Sequence, residues 1–370
     1  MGMEHVKYPE KGDLPGAPGT GGASWPPPGA VPAGWPDEGV AAHYGDPMRE
    51  QRAMAAGPVI VDRSNRGVVR VAGPDRLSWL HSLTSQQLDR LPPAATAQAL
   101  ILSPNGHVEH HLTLTDDGGA VWIHVEPGTA PALTEFLDSM RFMLRVEVAD
   151  VTGEYAVLSV AGPGAAARAA AAGVLSAAVT AGAFGVDLIV PRARMADAAG
   201  KLGLPPAGMW AFEAARIAAR VPRIGIDTDH RTLPHEAGWI ETAVHLSKGC
   251  YRGQETVARV HNLGHPPRRL VFLDLDGSVD RLPSRGAPVV TEDGTRVGFA
   301  GSSARHFELG PIGLGLIRRT VPVDATLLAD GIAAAQEVIV APDAGANVQV
   351  TLRRDRELGP PPPAASRRLL

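Results

Sequence analysis

The single cysteine of this chain lies in a segment whose side chains suit thiol chemistry. Cys250 stands between Gly249 and Tyr251, and Lys248 and Arg252 lie two residues away on either side. The thiolate is the reactive form of cysteine, and neighbouring cations stabilise it. Glycine lets the backbone turn sharply or approach another group closely. The segment therefore predicts a reactive thiolate at Cys250, and a small buried hydrophobic residue is the alternative.

The residues that follow the thiol extend this segment into a motif. The sequence KGCYRGQETVAR at residues 248–259 resembles the signature of the YgfZ family of folate-binding proteins, which take part in iron–sulfur protein maintenance. That family is similar in fold to the glycine-cleavage T-protein, a tetrahydrofolate-dependent aminomethyltransferase. The likeness runs from about residue 58 to residue 341. It implies an α+β fold of three lobes around a central cavity, with tetrahydrofolate or a one-carbon derivative as cofactor.

Length and composition bound the class of protein. The 370 residues, 44% hydrophobic and 20% charged, predict two or three domains with substantial cores. One cysteine excludes an intramolecular disulfide framework, favours a reducing cytoplasm, and leaves the monomer alone unable to hold an iron–sulfur cluster. A net charge of −4 and the lack of a long apolar run argue against nucleic acid and membrane as partners. We expect a cytoplasmic protein, and the resemblance implies iron–sulfur client proteins as partners.

Changes of pattern along the chain predict its organisation. The first segment is rich in Pro, Gly and Ala, which predicts disorder with Trp25 and Trp35 docked on the body. Short strands between Gly and Pro turns in the last third predict a small β-barrel. The chain can pass back and forth between the first two lobes, so that a segment of one predicted lobe belongs to the other. The predicted units are a disordered segment (1–50), a first α+β lobe (51–152), a second α+β lobe with the signature (153–266), a β-barrel (267–350) and a flexible tail (351–370).

A predicted strand carries a row of polar side chains. Asn105-Gly106 between two apolar runs predicts a hairpin, and His107, Glu109 and His111 share one face of its second strand, because side chains alternate along a strand. Two histidines and a carboxylate suit a zinc-like ion. A solvated polar face is the alternative, and we predict no metal site.

The resemblance gives this strand a second meaning. The T-protein carries a pair of aspartates here, one of which is its catalytic acid/base toward folate. In this chain the matching positions hold His110 and His111, whose ordinary pKa values lie near neutral pH. This replacement weighs against aminomethyl transfer. His111 stays among the residues predicted to contact folate.

Further folate contacts follow from the resemblance. Arg216 lies in a helix that resembles the T-protein helix presenting an arginine to folate, and its alternative is a surface ion pair with Glu213. Asp187 falls near the carboxylate that holds the pterin ring in T-proteins. Glu236 matches the glutamate of a Pro-x-Glu element of the relatives. The remaining predicted contacts belong to the signature loop and are Tyr251, Gln254 and Glu255.

These observations predict a folate-binding protein that takes part in iron–sulfur cluster assembly or repair. Cys250 would be its reactive group, and Lys248 would support the thiolate. Two alternatives stay open. One is a tetrahydrofolate-dependent aminomethyltransferase of the T-protein type, and the other is a non-catalytic scaffold that binds client proteins. Whether the protein turns over a substrate is open as well.

Overall fold

The computed structural model describes residues 25–174, 176–182 and 184–345. The helices are α1 (Pro47–Ala56), α2 (Arg76–Leu83), α3 (Ala130–Ser139), α4 (Ala165–Ala171), α5 (Met195–Leu202), α6 (Met209–Ala218), α7 (Ile240–Ala243) and α8 (Gln254–Leu263), with a 3-10 turn at Arg192–Arg194. The strands are β1 (Val31–Pro32), β2 (Ala41–His43), β3 (Val59–Asp62), β4 (Gly67–Ala72), β5 (Thr96–Leu102), β6 (Val108–Asp116), β7 (Ala120–Val125), β8 (Glu147–Asp150), β9 (Tyr155–Ala161), β10 (Ala178–Gly182), β11 (Gly185–Pro191), β12 (Pro206–Ala207), β13 (Arg268–Leu275), β14 (Pro288–Thr291), β15 (Arg296–His306), β16 (Gly310–Arg318), β17 (Leu327–Ala329) and β18 (Ile332–Val338).

Two five-stranded sheets form the first two lobes, as the α+β prediction requires. The first has the order β5-β6-β7-β4-β8 and the second the order β10-β11-β9-β3-β12. Helices α2 and α3 pack on the first sheet through Leu80, Leu133 and Leu137. Helices α4 and α5 pack on the second sheet. The two sheets meet through a shared apolar cluster that includes Trp122 and Ile189.

The third lobe is a closed six-stranded barrel with the order β13-β16-β15-β14-β17-β18. Its interior is apolar, because alternate residues of β13, Val271 and Leu273 among them, point inward. The opposite face of β13, with Leu270 and Phe272, packs against Ile217 of α6. The start of α6 packs on β3 through Phe212. Helix α6 therefore joins the barrel to the second sheet.

The lobe boundaries differ from the predicted ones at the start of the chain. Strand β3 pairs with β9, so residues 59–62 belong to the second sheet although they lie within the predicted span of the first lobe. The chain does weave between these lobes. Among the described residues, no helix has the length and apolar character needed to cross a membrane.

Residues 25–50 were expected to be disordered, and in the structure they are folded. Strands β1 and β2 pair, Val40 and Ala42 are buried, and Trp25 donates a hydrogen bond to Asp62 (3.1 Å). Trp35 lies under the guanidinium of Arg285 at 4.4 Å. The composition of this segment predicted disorder because composition does not reveal the few specific contacts that hold the segment on the rest of the protein. The predictions for residues 1–24 and 351–370 lie outside the described residues.

The signature loop is seated directly on the β5–β6 hairpin. Gly106 in the hairpin turn and Gly253 before α8 both have positive φ, 79° and 80°. A Cβ added to Gly253 would lie 2.6 Å from the carbonyl oxygen of Ser103 and 2.9 Å from Cα of Gly106. Two backbone turns can approach this closely only where neither carries a side chain. The glycine pair thus fixes the loop that carries Cys250 to the first sheet.

We expect Gly253→Ala to lower the free energy of unfolding by about 1–3 kcal/mol, because the new side chain meets both a left-handed backbone and a backbone carbonyl. Urea-induced unfolding measures this loss. Gly249→Ala in the same loop is the matched control, since a Cβ there meets no atom within 4 Å. Equal losses in the two variants would contradict the seating of the loop.

Candidate functional site

A network of buried charges lies where the two sheets, helix α6 and the barrel meet. Charges taken out of water are stable only when paired and hydrogen-bonded. Most members of this network are less than a tenth exposed. The network consists of Arg63, Arg66, Arg216 and Arg223 together with Asp37, Glu126, Asp187, Glu213 and Asp227.

Arg223 is the branching point of this network. Its guanidinium donates to both oxygens of Asp37 (2.9 and 3.0 Å) and twice to Glu126 (2.8 and 3.0 Å). Arg66 binds the other oxygen of Glu126 at 2.9 Å. Burial by itself raises the pKa of Glu126, but Arg223 and Arg66 outweigh it and hold that pKa well below its usual range. Glu126 is therefore a carboxylate at neutral pH.

Arg216, a predicted folate contact, is fully engaged within the protein. Its guanidinium binds Glu213 through two nitrogens (3.0 and 2.7 Å) and Asp227 at 3.0 Å. It also donates to the carbonyl of Val221 and to the hydroxyl of Ser302, both at 2.5 Å. The predicted alternative partner, Glu213, is present, but the pair is buried rather than on the surface. Since a guanidinium has five N–H donors, a ligand at Arg216 has to replace one of these partners.

Asp187, the predicted pterin contact, is also paired. Ser159 donates to it at 2.5 Å, and Arg63 lies 3.3 Å from both carboxylate oxygens. Nε2 of His124 lies 3.3 Å from the carboxylate, and Nδ1 of that ring accepts a hydrogen bond from Arg66. Burial lowers the pKa of His124 to about 3, so the ring is neutral and its proton is on Nε2.

Two of the three side chains of the candidate metal face, those of Glu109 and His111, bind separate partners. Glu109 forms an ion pair with Arg252 (3.0 Å). Nε2 of His111 lies 3.1 Å from Gln98, and its ring packs on Trp239 at 4.8 Å. Within residues 25–174, 176–182 and 184–345 there is no group of three or more His, Cys, Asp or Glu side chains that could hold a metal ion.

The two histidines that replace the aspartate pair do not titrate near neutral pH. They lie on opposite faces of β6, and His110 is buried while His111 contacts Gln98 and Trp239. Burial lowers the pKa of each to about 4. Both rings are therefore uncharged at pH 7. The expectation of titration near neutral pH fails because sequence does not give the depth at which a side chain lies.

Lys248 holds the end of a helix. Its ammonium donates to the carbonyls of His81, Thr84 (2.5 Å) and Gln86 (3.1 Å), which follow one another at the C-terminus of α2. Burial lowers the pKa of Lys248 to about 8. At neutral pH the ammonium is still charged, and this charge complements the negative end of the helix dipole. The Lys248 ammonium directs its hydrogen bonds at these carbonyls. The expected support of the Cys250 thiolate by Lys248 stays a prediction.

Cys250 itself is exposed, which rules out the alternative of a buried hydrophobic residue. Arg252 is bound to Glu109 and lies over the ring of Phe136. Gln254 donates to the carbonyl of Lys248 at 3.4 Å, which closes the loop. The loop thus presents the thiol to solvent while its basic side chains bind the first lobe.

The other predicted contacts have separate surroundings. Tyr251 is buried, and burial raises its pKa to about 12. Glu255 is exposed in the first turn of α8. Glu236 is fully buried and binds Arg268 (2.8 and 2.9 Å), which joins its loop to the start of the barrel. Their assignment to folate stays a prediction.

A cavity of about 600 Å³ lies beside the network, between residues 33–37, α1, the start of α6 and the barrel. No residue of the loop 248–253 lines it, so the structure does not bring Cys250 to this cavity. Sequence reasoning missed the cavity because its walls come from distant segments, one of them the Pro-rich stretch expected to be disordered. The lining side chains with aromatic or charged groups are Trp35, Asp37, Trp210, Glu213, Arg285 and Arg305.

The lowered pKa of His110 makes stability depend on pH. The unfolded chain takes up a proton on this ring as the pH falls below about 6.5, whereas the folded chain does so only near pH 4. The buried, neutral ring therefore costs no stability above pH 6.5. The free energy of unfolding falls as the pH drops from 6.5 toward 4, because the unfolded chain binds a proton that the folded chain does not. We expect His110→Phe to reduce the fall in unfolding free energy between pH 7 and pH 4 by up to about 3 kcal/mol.

Urea unfolding at a series of pH values measures this difference. His265→Phe is the control, because this histidine is exposed and should leave the pH dependence of the wild type unchanged. A pH dependence in His110→Phe equal to that of the wild type would show that His110 titrates alike in both states.

Comparison with known proteins agrees with the observed architecture. The family model described as the GCVT N-terminal domain matches residues 38–185. A chloroplastic protein of Arabidopsis thaliana that is named as a transferase is 25% identical over 75% of this chain and 70% of its own length. An aminomethyltransferase of Symbiobacterium thermophilum is 26% identical over 66% of this chain and 74% of its own.

Two further similarities bear on the fold and its relatives. A mitochondrial protein of Mycosarcoma maydis, named as a homolog of the iron–sulfur cluster assembly factor IBA57, is 25% identical over 56% of this chain and 55% of its own. The crystal structure of the glycine cleavage aminomethyltransferase T from Bartonella henselae superposes with a TM-score of 0.73, at 20% identity, over 86% of this chain and 96% of the other. The chain thus has the fold of the GCVT-like aminomethyltransferases, with two α+β lobes and a closed six-stranded C-terminal barrel.

Proposed function

We propose that this protein binds tetrahydrofolate or a one-carbon derivative and takes part in assembly or repair of iron–sulfur proteins. The observation that carries the proposal is the exposed thiol of Cys250, presented by a loop that the Gly106–Gly253 contact fixes to the first sheet. The likeness to a protein named for iron–sulfur cluster assembly supports this choice. The fold of aminomethyltransferases supports a folate as the small ligand.

The 600 Å³ cavity is the part of the molecule that fits such a ligand. Its volume lies in the usual range of ligand pockets, about 300–1,000 Å³. Trp210 is 55% exposed and offers an aromatic face for a heterocycle. Asp37 and Glu213 supply carboxylates that can accept N–H bonds from an aminopyrimidinone. Arg305 at the barrel side supplies a cation for the carboxylates of a glutamate tail.

Cys250 would act on the protein partner rather than on a ligand inside the cavity. A thiolate is a strong ligand for iron, and an exposed one is accessible to a second protein. Because the chain has one cysteine, any cluster bound at this thiol needs further ligands from another molecule. Transient contact with a client's cluster is therefore the role that this arrangement supports.

Binding of a folate can be tested directly at the cavity. We expect isothermal titration with 5-formyltetrahydrofolate to show one site, and Trp210→Ala to weaken binding roughly tenfold through loss of ring stacking. Phe142→Ala removes another exposed aromatic side chain, 81% exposed and outside the cavity, and should bind as the wild type does. Equal effects of both substitutions would place the ligand elsewhere.

The thiol can be tested in cells whose own copy of the gene is deleted. We expect Cys250→Ser to lose the ability to restore the activity of [4Fe–4S] enzymes, because a hydroxyl is a poor ligand for iron. Ser247→Ala, an exposed neighbour in the same loop, is the matched control and should restore activity fully. Full restoration by Cys250→Ser would instead favour the scaffold, in which the chain binds clients without using its thiol.

An aminomethyltransferase is the second candidate, favoured by the similarity over 74% of the Symbiobacterium enzyme. The neutral, separately placed His110 and His111 weigh against it, since neither supplies the carboxylate that the T-protein uses. Incubation with tetrahydrofolate and an aminomethyl-lipoyl carrier distinguishes the two functions. Formation of methylenetetrahydrofolate by the wild-type protein would establish the transferase.

A further inference from the structure

One arginine of the central network occupies a place that suits a ligand. Arg63 follows β3, and its Nη1 lies 3.3 Å from both oxygens of Asp187 and 3.2 Å from the hydroxyl of Ser159. Its guanidinium carbon lies 4.5 Å from the centre of the Phe212 ring. A buried carboxylate beside an aromatic face is a typical recognition site for a flat group with N–H donors. Here the protein's own side chain fills that site.

The guanidinium resembles the group that it would exclude. Guanidinium and the 2-aminopyrimidin-4-one edge of a pterin are both planar, and both direct neighbouring N–H donors at a carboxylate. Either can also stack on an aromatic ring. The two groups therefore compete for the same two oxygens and the same ring face, and the side chain has the advantage of being attached.

The remaining donors leave Asp187 no free oxygen. Ser159 donates at 2.5 Å and Nε2 of His124 lies 3.3 Å away, so a ligand at this carboxylate has to displace Arg63. Such a displacement meets little resistance from hydrogen-bond geometry, because contacts at 3.3 Å are longer than the 2.7–2.9 Å typical of charge-assisted bonds. Nε of Arg63 is moreover buried without a hydrogen-bond partner. The cost arises instead from moving a buried charge away from its partner.

We propose that Arg63 closes the Asp187 carboxylate to ligands and thereby determines specificity at the centre of the molecule. The proposal rests on the proposed function, since folate is the ligand concerned. It assigns recognition of the folate to the cavity between α6 and the barrel, and it makes Asp187 a structural partner of Arg63. Removal of Arg63 opens a second recognition site for an aminopyrimidinone.

The test titrates four proteins with 5-formyltetrahydrofolate by calorimetry: wild type, Arg63→Met, Asp187→Asn and the double variant. Methionine removes the donors while keeping an unbranched apolar side chain, whose flexible thioether can leave the Phe212 ring face to a ligand. We expect Arg63→Met to bind at least tenfold more tightly than the wild type, and the double variant to lose this gain. Arg192→Met is the matched control: it also removes a guanidinium that binds the second lobe through backbone carbonyls, and should give no gain.

Each outcome decides the proposal. An affinity of Arg63→Met equal to that of the wild type overturns it, as does a gain that persists in the double variant. A tenfold loss in Asp187→Asn with Arg63 intact also overturns it, because the ligand then uses Asp187 already. Binding by Arg63→Met without binding by the wild type supports closure of Asp187 by Arg63, but it overturns the cavity as the folate site and with it the proposed function. Absence of binding in all four proteins overturns both.

Thermal unfolding of each variant, and of Arg63→Gln as a second substitution, excludes loss of folding as the cause. Glutamine keeps one N–H donor for Asp187 and should give a smaller gain than methionine. A gain in Arg63→Gln equal to that in Arg63→Met would show that the bulk of the arginine, rather than its donors, closes the site, which contradicts the proposal.

Discussion

The structure depends on the pairing of Arg223 with Asp37 and Glu126. A buried arginine loses several kcal/mol of hydration, which only close and well-oriented carboxylates restore. Asp37 comes from the N-terminal segment and Glu126 from the end of β7, so one guanidinium fixes two distant parts of the chain. Arg216 extends the same constraint to Ser302 in the barrel. The three lobes thus contact one network of buried charges, and the barrel joins it through a hydrogen bond from Arg216 to the Ser302 hydroxyl.

This constraint also limits where a ligand can bind. Within the network, the hydrogen-bonding groups of Arg216 and Asp187 already have partners, which leaves few of these groups for a ligand. Asp37 and Glu213 differ, because each belongs to the network and also lines the cavity. A ligand with N–H donors can add to these carboxylates without displacing an arginine. The edge of the network, rather than its interior, is therefore the chemically accessible part.

Local pattern predicted the parts of this molecule that depend on local geometry. The Asn105-Gly106 hairpin, the alternation along β6 and the C-terminal barrel follow from turn chemistry and from a period of two residues. Long-range partners could not be predicted in this way. Lys248 is two residues from Cys250 in sequence, yet its ammonium binds the end of α2. Asp37 lies in a segment whose composition suggests disorder, yet it is buried because Arg223, 186 residues away, needs a carboxylate.

The thiol and the cavity lie in different parts of the fold, and β6 carries one residue that binds the thiol loop and one that lies near the charge network. Near its start, Glu109 binds Arg252 of the signature loop. Two residues further on, His111 lies within the electrostatic influence of Glu126 and Arg66 in the network. Successive alternate residues of one strand point to the same face, so these contacts share a rigid support. The thiol loop and the charge network thus share one strand as a support, whereas no residue of the loop 248–253 lines the cavity.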